Sequence, residues 1–247
     1  MPGPDELMSG NNEREAATAA RARAGLYELL ATIFRAPLGI GSLRRFRREE
    51  FLDALEDAGM RVDDAFRFGD EKALLSTLAV DFTQLFHGPR EHRVANESVQ
   101  TGNGEGTFGG DACVAVQEFY RTAGLCYDET QSELPDHISV ELTCMAALAQ
   151  AEGEAWGAGD RREAQRCNRQ QAGFLVAHPG RWGIDLGRWM ASRARTPFYR
   201  EAGQLLAEFL EAEVAGLAQS ARAPVPTENS IHKRPLGEHN HVRTGIV

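Results

Sequence analysis

A chain of 247 residues with 42% hydrophobic and 26% charged side chains has enough apolar material to bury a core, which excludes wholesale disorder. Its formal net charge of −9 argues against general nucleic-acid binding, because the phosphate backbone selects basic surfaces. No stretch approaches the ~18 consecutive apolar residues of a membrane span, and the polar N-terminus has no signal-peptide core, so the expected location is the cytoplasm.

Leu26, Leu29, Leu30, Ile33 and Phe34 follow the spacing of one buried helical stripe. Strong helix formers over 16–24 extend that helix upstream, and Pro37, Gly39 and Gly41 end it. The pattern predicts a second helix over 43–58, stopped by Gly59, and a third over 71–86, stopped by Gly88 and Pro89. Residues 90–109, rich in Gly, Asn, Glu and His, read as a long loop of the kind that is functional or disordered. A helix over 111–123 closes on Gly124. Glu133-Leu-Pro-Asp-His137 then forms a proline-containing entry to a helix over 136–155, with Asp136 as N-cap and Ile138, Leu142, Met145 and Ala149 as its buried stripe. Helices over 161–177 and 183–194 flank a break at Pro179-Gly180, and a last one over 198–217 buries Leu205, Leu206, Phe209, Leu210 and Leu217.

No alternating run long enough for a sheet occurs. The expected fold is all-α: one helical-bundle domain over 15–220 of about eight to ten helices, with a hinge near 131–135 dividing it into two subdomains. Residues 1–14 and a basic tail over 221–247 are expected to be flexible.

Chemical motifs are sparse. Gly104-Glu-Gly-Thr-Phe-Gly109 has the letters of a dinucleotide-binding fingerprint, but no buried strand precedes it, and a loop explains it better. There is no Gly-Lys-Ser/Thr phosphate loop and no Glu-x-x-His pair for a di-iron bundle site. Cys113, Cys126, Cys144 and Cys167 form no Cys-x-x-Cys pair and read as reduced residues of the core. His137 and Glu141 stand i, i+4 on one helix, either as an acid/base pair or as a simple helix-start contact. His232, His239 and His241 lie in the tail, a poor place for a defined metal site. No catalytic centre, cofactor or metal is expected.

Several segments, in order, resemble the TorD/DmsD family of redox-enzyme maturation chaperones. They are Gly25-Leu-Tyr-Glu-Leu-Leu-Ala-Thr-Ile-Phe34, Asp81-Phe-Thr-Gln-Leu-Phe-His-Gly-Pro89, Asn96-Glu-Ser-Val99, Tyr120 with Gly124-Leu125, Glu133-Leu-Pro-Asp-His137 with Glu141-Leu142, and Phe174-Leu175, His178, Trp182 and Thr196-Pro-Phe-Tyr199. The resemblance spans roughly 17–215, with Ala95 in place of the family's proline and Pro179 in place of its leucine. It implies an all-helical cytoplasmic chaperone that binds the twin-arginine signal peptide and apo form of a molybdopterin oxidoreductase, holding it back from export until the cofactor is loaded. It also implies domain-swapped dimers and, in some members, weak guanine-nucleotide binding.

A twin-arginine leader offers two guanidinium groups and an apolar stretch, so its receptor needs an apolar groove beside carboxylates. On this reading Phe82, Leu85 and Phe86 supply the groove, Glu97 and Ser98 adjoin it, and Pro135, Asp136 and His137 form its rim. Asp136 and Glu141 would accept from the arginines, with His137 orienting Asp136 or donating to a peptide carbonyl; the bland alternative is that Asp136 only caps its helix and His137 only packs. The competing reading is a GTP-binding switch or hydrolase using the 104–110 loop.

Overall fold

The computed structural model describes residues 4–89, 91–102, 108–127 and 132–222. These form eleven helices: α1 (Pro4–Arg35), α2 (Ile40–Phe46), α3 (Glu49–Asp57), α4 (Asp64–Phe68), α5 (Glu71–Phe86), α6 (Glu97–Thr101), α7 (Asp111–Ala123), α8 (Ile138–Gly157), α9 (Arg161–Ala177), α10 (Pro179–Arg193) and α11 (Pro197–Arg222). Among the described residues there is no strand, only a single bridge between Asn96 and His137. None of the helices is long and apolar enough to cross a membrane.

The long helices form because their apolar residues recur at helical spacing, and they assemble by burying those stripes against one another. Tyr27, Leu30 and Phe34 of α1, Leu142 and Met145 of α8, Phe174 of α9, Met190 of α10, and Leu206 and Leu210 of α11 are all fully buried in one core. Two crossings depend on glycine. A Cβ on Gly153 of α8 would meet Arg21 Cγ at 2.9 Å and Ala17 O at 3.2 Å, so the missing side chain lets α1 lie close along α8. Gly187 of α10 and Gly203 of α11 face each other, and a Cβ on Gly203 would stand 2.7 Å from both Ala191 N and Gly187 O.

The differences from the expected elements have local causes. α1 begins at Pro4, ahead of the start expected near residue 15. The helix expected over 43–58 is two helices: Arg48 turns extended (φ −68, ψ 140), and beside it the Arg47 guanidinium donates to Phe66 O (2.6 Å) and Gly69 O (2.8 Å), closing the end of α4. Phe46 and Phe51 stack across that break at 4.8 Å. α4 and α6 are single short turns with too few residues to show a period; α4 is nonetheless capped by Asp63, which accepts from Phe66 N at 2.8 Å. α10 begins at Pro179, so the expected break narrows to His178, with φ −124 and ψ −100. Proline needs no N–H at a first helical position, and it starts the helix it was expected to interrupt. Cys113, Cys144 and Cys167 are buried as core thiols, but Cys126, just past the end of α7, is exposed. Residue 131 of the hinge segment, 128–130 before it, 103–107 of the glycine-rich loop and 223–247 of the tail, with its three histidines, lie outside the described residues.

Candidate functional site

The Pro135–His137 turn and the 91–101 segment are locked together. Glu97 N donates to Asp136 O at 2.9 Å and Ile138 N to Ala95 O at 2.8 Å. The Asp136 carboxylate is fully buried and accepts from Ser98 N (2.9 Å) and Asn96 Nδ2 (3.1 Å). Asp136 is therefore a cap, but of α6, across the turn. α8 is capped by His137 instead, whose Nδ1 accepts from Ser139 N at 3.2 Å and lies 2.8 Å from Ser139 Oγ. With Nδ1 so occupied, the ring proton belongs on Nε2, which faces Glu133 Oε2 at 3.6 Å. Burial lowers the His137 pKa to about 4 against the opposing pull of Glu133 and Asp136, so the ring is neutral near pH 7. Tyr120, also buried, donates from its hydroxyl to Pro135 O at 3.0 Å and supports the turn from below.

Beside this lies a second buried cluster. His178 Nδ1 is 2.8 Å from Glu97 Oε2, and Trp182 Nε1 donates to Glu141 Oε2 at 3.2 Å. Glu141 is completely enclosed; burial and the adjacent Glu97 carboxyl raise its pKa well above the usual carboxylate range, while the Trp182 bond works the other way. Ser98 Oγ, also buried, has no hydrogen-bond partner among the described residues; Glu141 Oε1 meets no N–H donor, and the Glu141 carboxyl shares a hydrogen bond with the Glu97 carboxyl when one of the two is protonated.

The structure thus brings Glu97, Ser98, Pro135, Asp136, His137 and Glu141 together and turns them inward. Asp136 and Glu141 have no exposure with which to meet an arginine from solution. Phe82 and Phe86 pack on each other at 4.7 Å, and Phe82 also meets Tyr199 at 5.8 Å, so they belong to the core and do not form an open groove. Leu85, itself buried, borders a cavity of 390 Å³ lined also by Gln84, Pro89, Glu91, Arg193 and Arg195. Sequence reasoning missed His178 and Trp182 as partners of Glu97 and Glu141. It also missed Asp81, which is buried and binds Thr196 N (2.7 Å) and Thr196 Oγ (2.6 Å) at the start of α11. An acidic residue inside an otherwise apolar stripe was the available signal for Asp81.

An open apolar groove exists elsewhere. Leu26 and Leu29 of α1, Phe51, Ala54 and Leu55 of α3, and Phe209 of α11 line a cavity of 540 Å³. Four charged side chains border it. Two are cationic and committed: Arg23 to Glu152 (2.5 Å) and Glu213 (3.4 Å), and Arg45 over the Phe51 ring at 5.2 Å. The two anionic ones, Glu28 and Asp57, are exposed and enter no ion pair among the described residues.

Comparison with known proteins bears on this arrangement. No curated protein matches the chain. Among solved structures it is similar to a protein assigned to redox enzyme maturation from Archaeoglobus fulgidus, at 19% identity over 79% of this chain and 93% of that one, with a TM-score of 0.42. The family model described as nitrate reductase delta subunit matches residues 48–186, which include the α5 helix, the 91–101 segment, the Pro135–His137 turn and α8. With more than half its length matched, the chain belongs to the nitrate reductase delta subunit family, which is TorD-like.

Proposed function

We propose that the protein is a cytoplasmic maturation chaperone that binds the twin-arginine leader and apo form of a molybdopterin-containing oxidoreductase, delaying export until the cofactor is inserted. Its task is to hold a polypeptide and not to transform a small molecule. Beyond family membership, the observation that carries this reading is the 540 Å³ apolar groove with two unengaged carboxylates at its border. A leader segment that becomes helical would lay its apolar face on Leu26, Leu29, Phe51 and Phe209, and its arginines would reach Glu28 and Asp57. Glu97, Ser98, Pro135, Asp136, His137 and Glu141 enter this reading as the internal frame of the 91–101 segment, with Phe82, Leu85 and Phe86 as the core that frame rests on.

The test is titration of fluorescent leader peptides from molybdopterin oxidoreductases into the purified chain. The double variant Glu28→Gln, Asp57→Asn is expected to weaken binding at least tenfold, about 1.4 kcal/mol, with the unfolding midpoint unchanged. Ala54→Trp, which fills the groove, should do the same by displacing the apolar stretch. A chain that ignores every such leader is not this chaperone.

A further inference from the structure

We propose that Glu97, Glu141 and His178 form a binding site for one divalent transition-metal ion, zinc or a close chemical relative, where α6, α8 and the α9–α10 corner meet. One ligand atom from each of the three side chains lies within 4.8 Å of the other two, and all three residues are buried. Donors about 2.1 Å from a tetrahedral zinc ion stand about 3.4 Å apart, so closing on an ion requires side-chain shifts of about 1 Å. Two carboxylates and one imidazole, without a thiolate, suit zinc, manganese(II) or iron(II); an imidazole ligand speaks against calcium and magnesium.

Independent features point to a ligand at this place. The Glu141 carboxyl is enclosed against the Glu97 carboxyl, so two acidic groups share one buried place that a shared proton or a cation must neutralise. Ser98 Oγ, on the residue next to Glu97, is buried with no hydrogen-bond partner among the described residues. Glu97, Ser98 and His178 line one cavity of 660 Å³ with Asp111 and Arg181, which provides a way in and room for a water to complete the coordination. Trp182 Nε1, already 3.2 Å from Glu141 Oε2, supplies the outer hydrogen bond that orients a ligating carboxylate. The three ligands come from segments far apart in the chain, so an ion would cross-link them and stabilise the folded state.

The experiment uses full-length, tag-free protein stripped with a chelator, titrated with zinc chloride by calorimetry and followed by thermal unfolding. One equivalent of zinc is expected to bind and to raise Tm. Glu141→Gln, which keeps an acceptor for Trp182, and His178→Gln should each lower zinc affinity at least tenfold, with helical circular dichroism retained. The tail variant His232→Gln, His239→Gln, His241→Gln and the variant Cys126→Ser should bind as the parent does. If His178→Gln fails to fold, Glu141→Gln alone decides. The proposal is overturned by absence of uptake, by uptake undiminished in the site variants, or by uptake lost with the tail histidines or Cys126.

Discussion

His137 sits in the interior with Nδ1 accepting from Ser139, so adding a proton would break its cap and place a charge in a buried site. Its pKa is depressed, from 6.5 to about 4, so between those values the unfolded chain binds a proton that the native protein refuses. Stability is therefore unaffected above the unfolded value and falls as pH drops from there toward 4. His137→Asn keeps a good capping side chain and removes the titration. Between about pH 7 and pH 5 the parent should lose roughly 2 kcal/mol more than this variant, measured by urea unfolding at each pH. Equal losses would mean the ring is not held neutral. Asp136 makes a second residue-scale case. Asp136→Asn turns an N–H₂ toward one of two donors, Ser98 N or Asn96 Nδ2, which should cost about 1–3 kcal/mol. Hydrogen exchange at Ser98 should quicken while amides of α1 and α11 keep their protection. The chemistry of this site was only half legible in the sequence. Asp136 reads as the cap of α8 from its type and its place before that helix, but His137 holds that position and Asp136 instead satisfies Ser98 N at the start of α6. The helix it caps begins about 40 residues earlier, a pairing no local spacing reveals. The same holds for Glu97 with His178 and for Glu141 with Trp182, whose residue types hint at nothing until the fold sets them side by side.

At the scale of elements, α1, α5, α8 and α11 are legible because each carries a stripe long enough to show the 3.6-residue period. The failures are short or doubly readable pieces: α4 and α6, the α2–α3 break where Arg48 turns extended, and Pro179 acting as a first helical residue where it was expected to interrupt. Register between helices was not legible at all, since it is set by where glycines permit close approach. The α10–α11 crossing tests this. Gly203→Val would drive its side chain into Ala191 N and Gly187 O, which are backbone atoms that cannot step aside. Overpacking of this kind typically costs about 1–3 kcal/mol, and contact with backbone on both sides puts this case at the upper end. A lowered urea midpoint with helical content retained is the expected result. A midpoint equal to the parent's would mean the two helices are free to separate.

For the molecule as a whole, the decisive distinction is between a surface that meets its partner with exposed charge and one that does so with buried charge. Asp136 and Glu141 are sealed, so a leader held by them would have to open the turn first, and its grip would then be shielded from salt. Glu28 and Asp57 stand in solvent beside the 540 Å³ groove, and the chain carries a net charge of −9 around them. Attraction between such a surface and an arginine-bearing leader acts at a distance, and ions screen it within about 10 Å at 0.1 M salt. Association should therefore slow several-fold as sodium chloride rises from about 0.05 M to about 0.5 M, while dissociation, governed by apolar contact in the groove, changes little. Stopped-flow fluorescence with a labelled leader separates the two rates. In Glu28→Gln, Asp57→Asn the salt dependence of association should flatten, because the nearest exposed anions are gone. A salt-insensitive association rate, or one limited by a slow step independent of peptide concentration, would instead place recognition at the buried carboxylates behind an opening of the 135–137 turn.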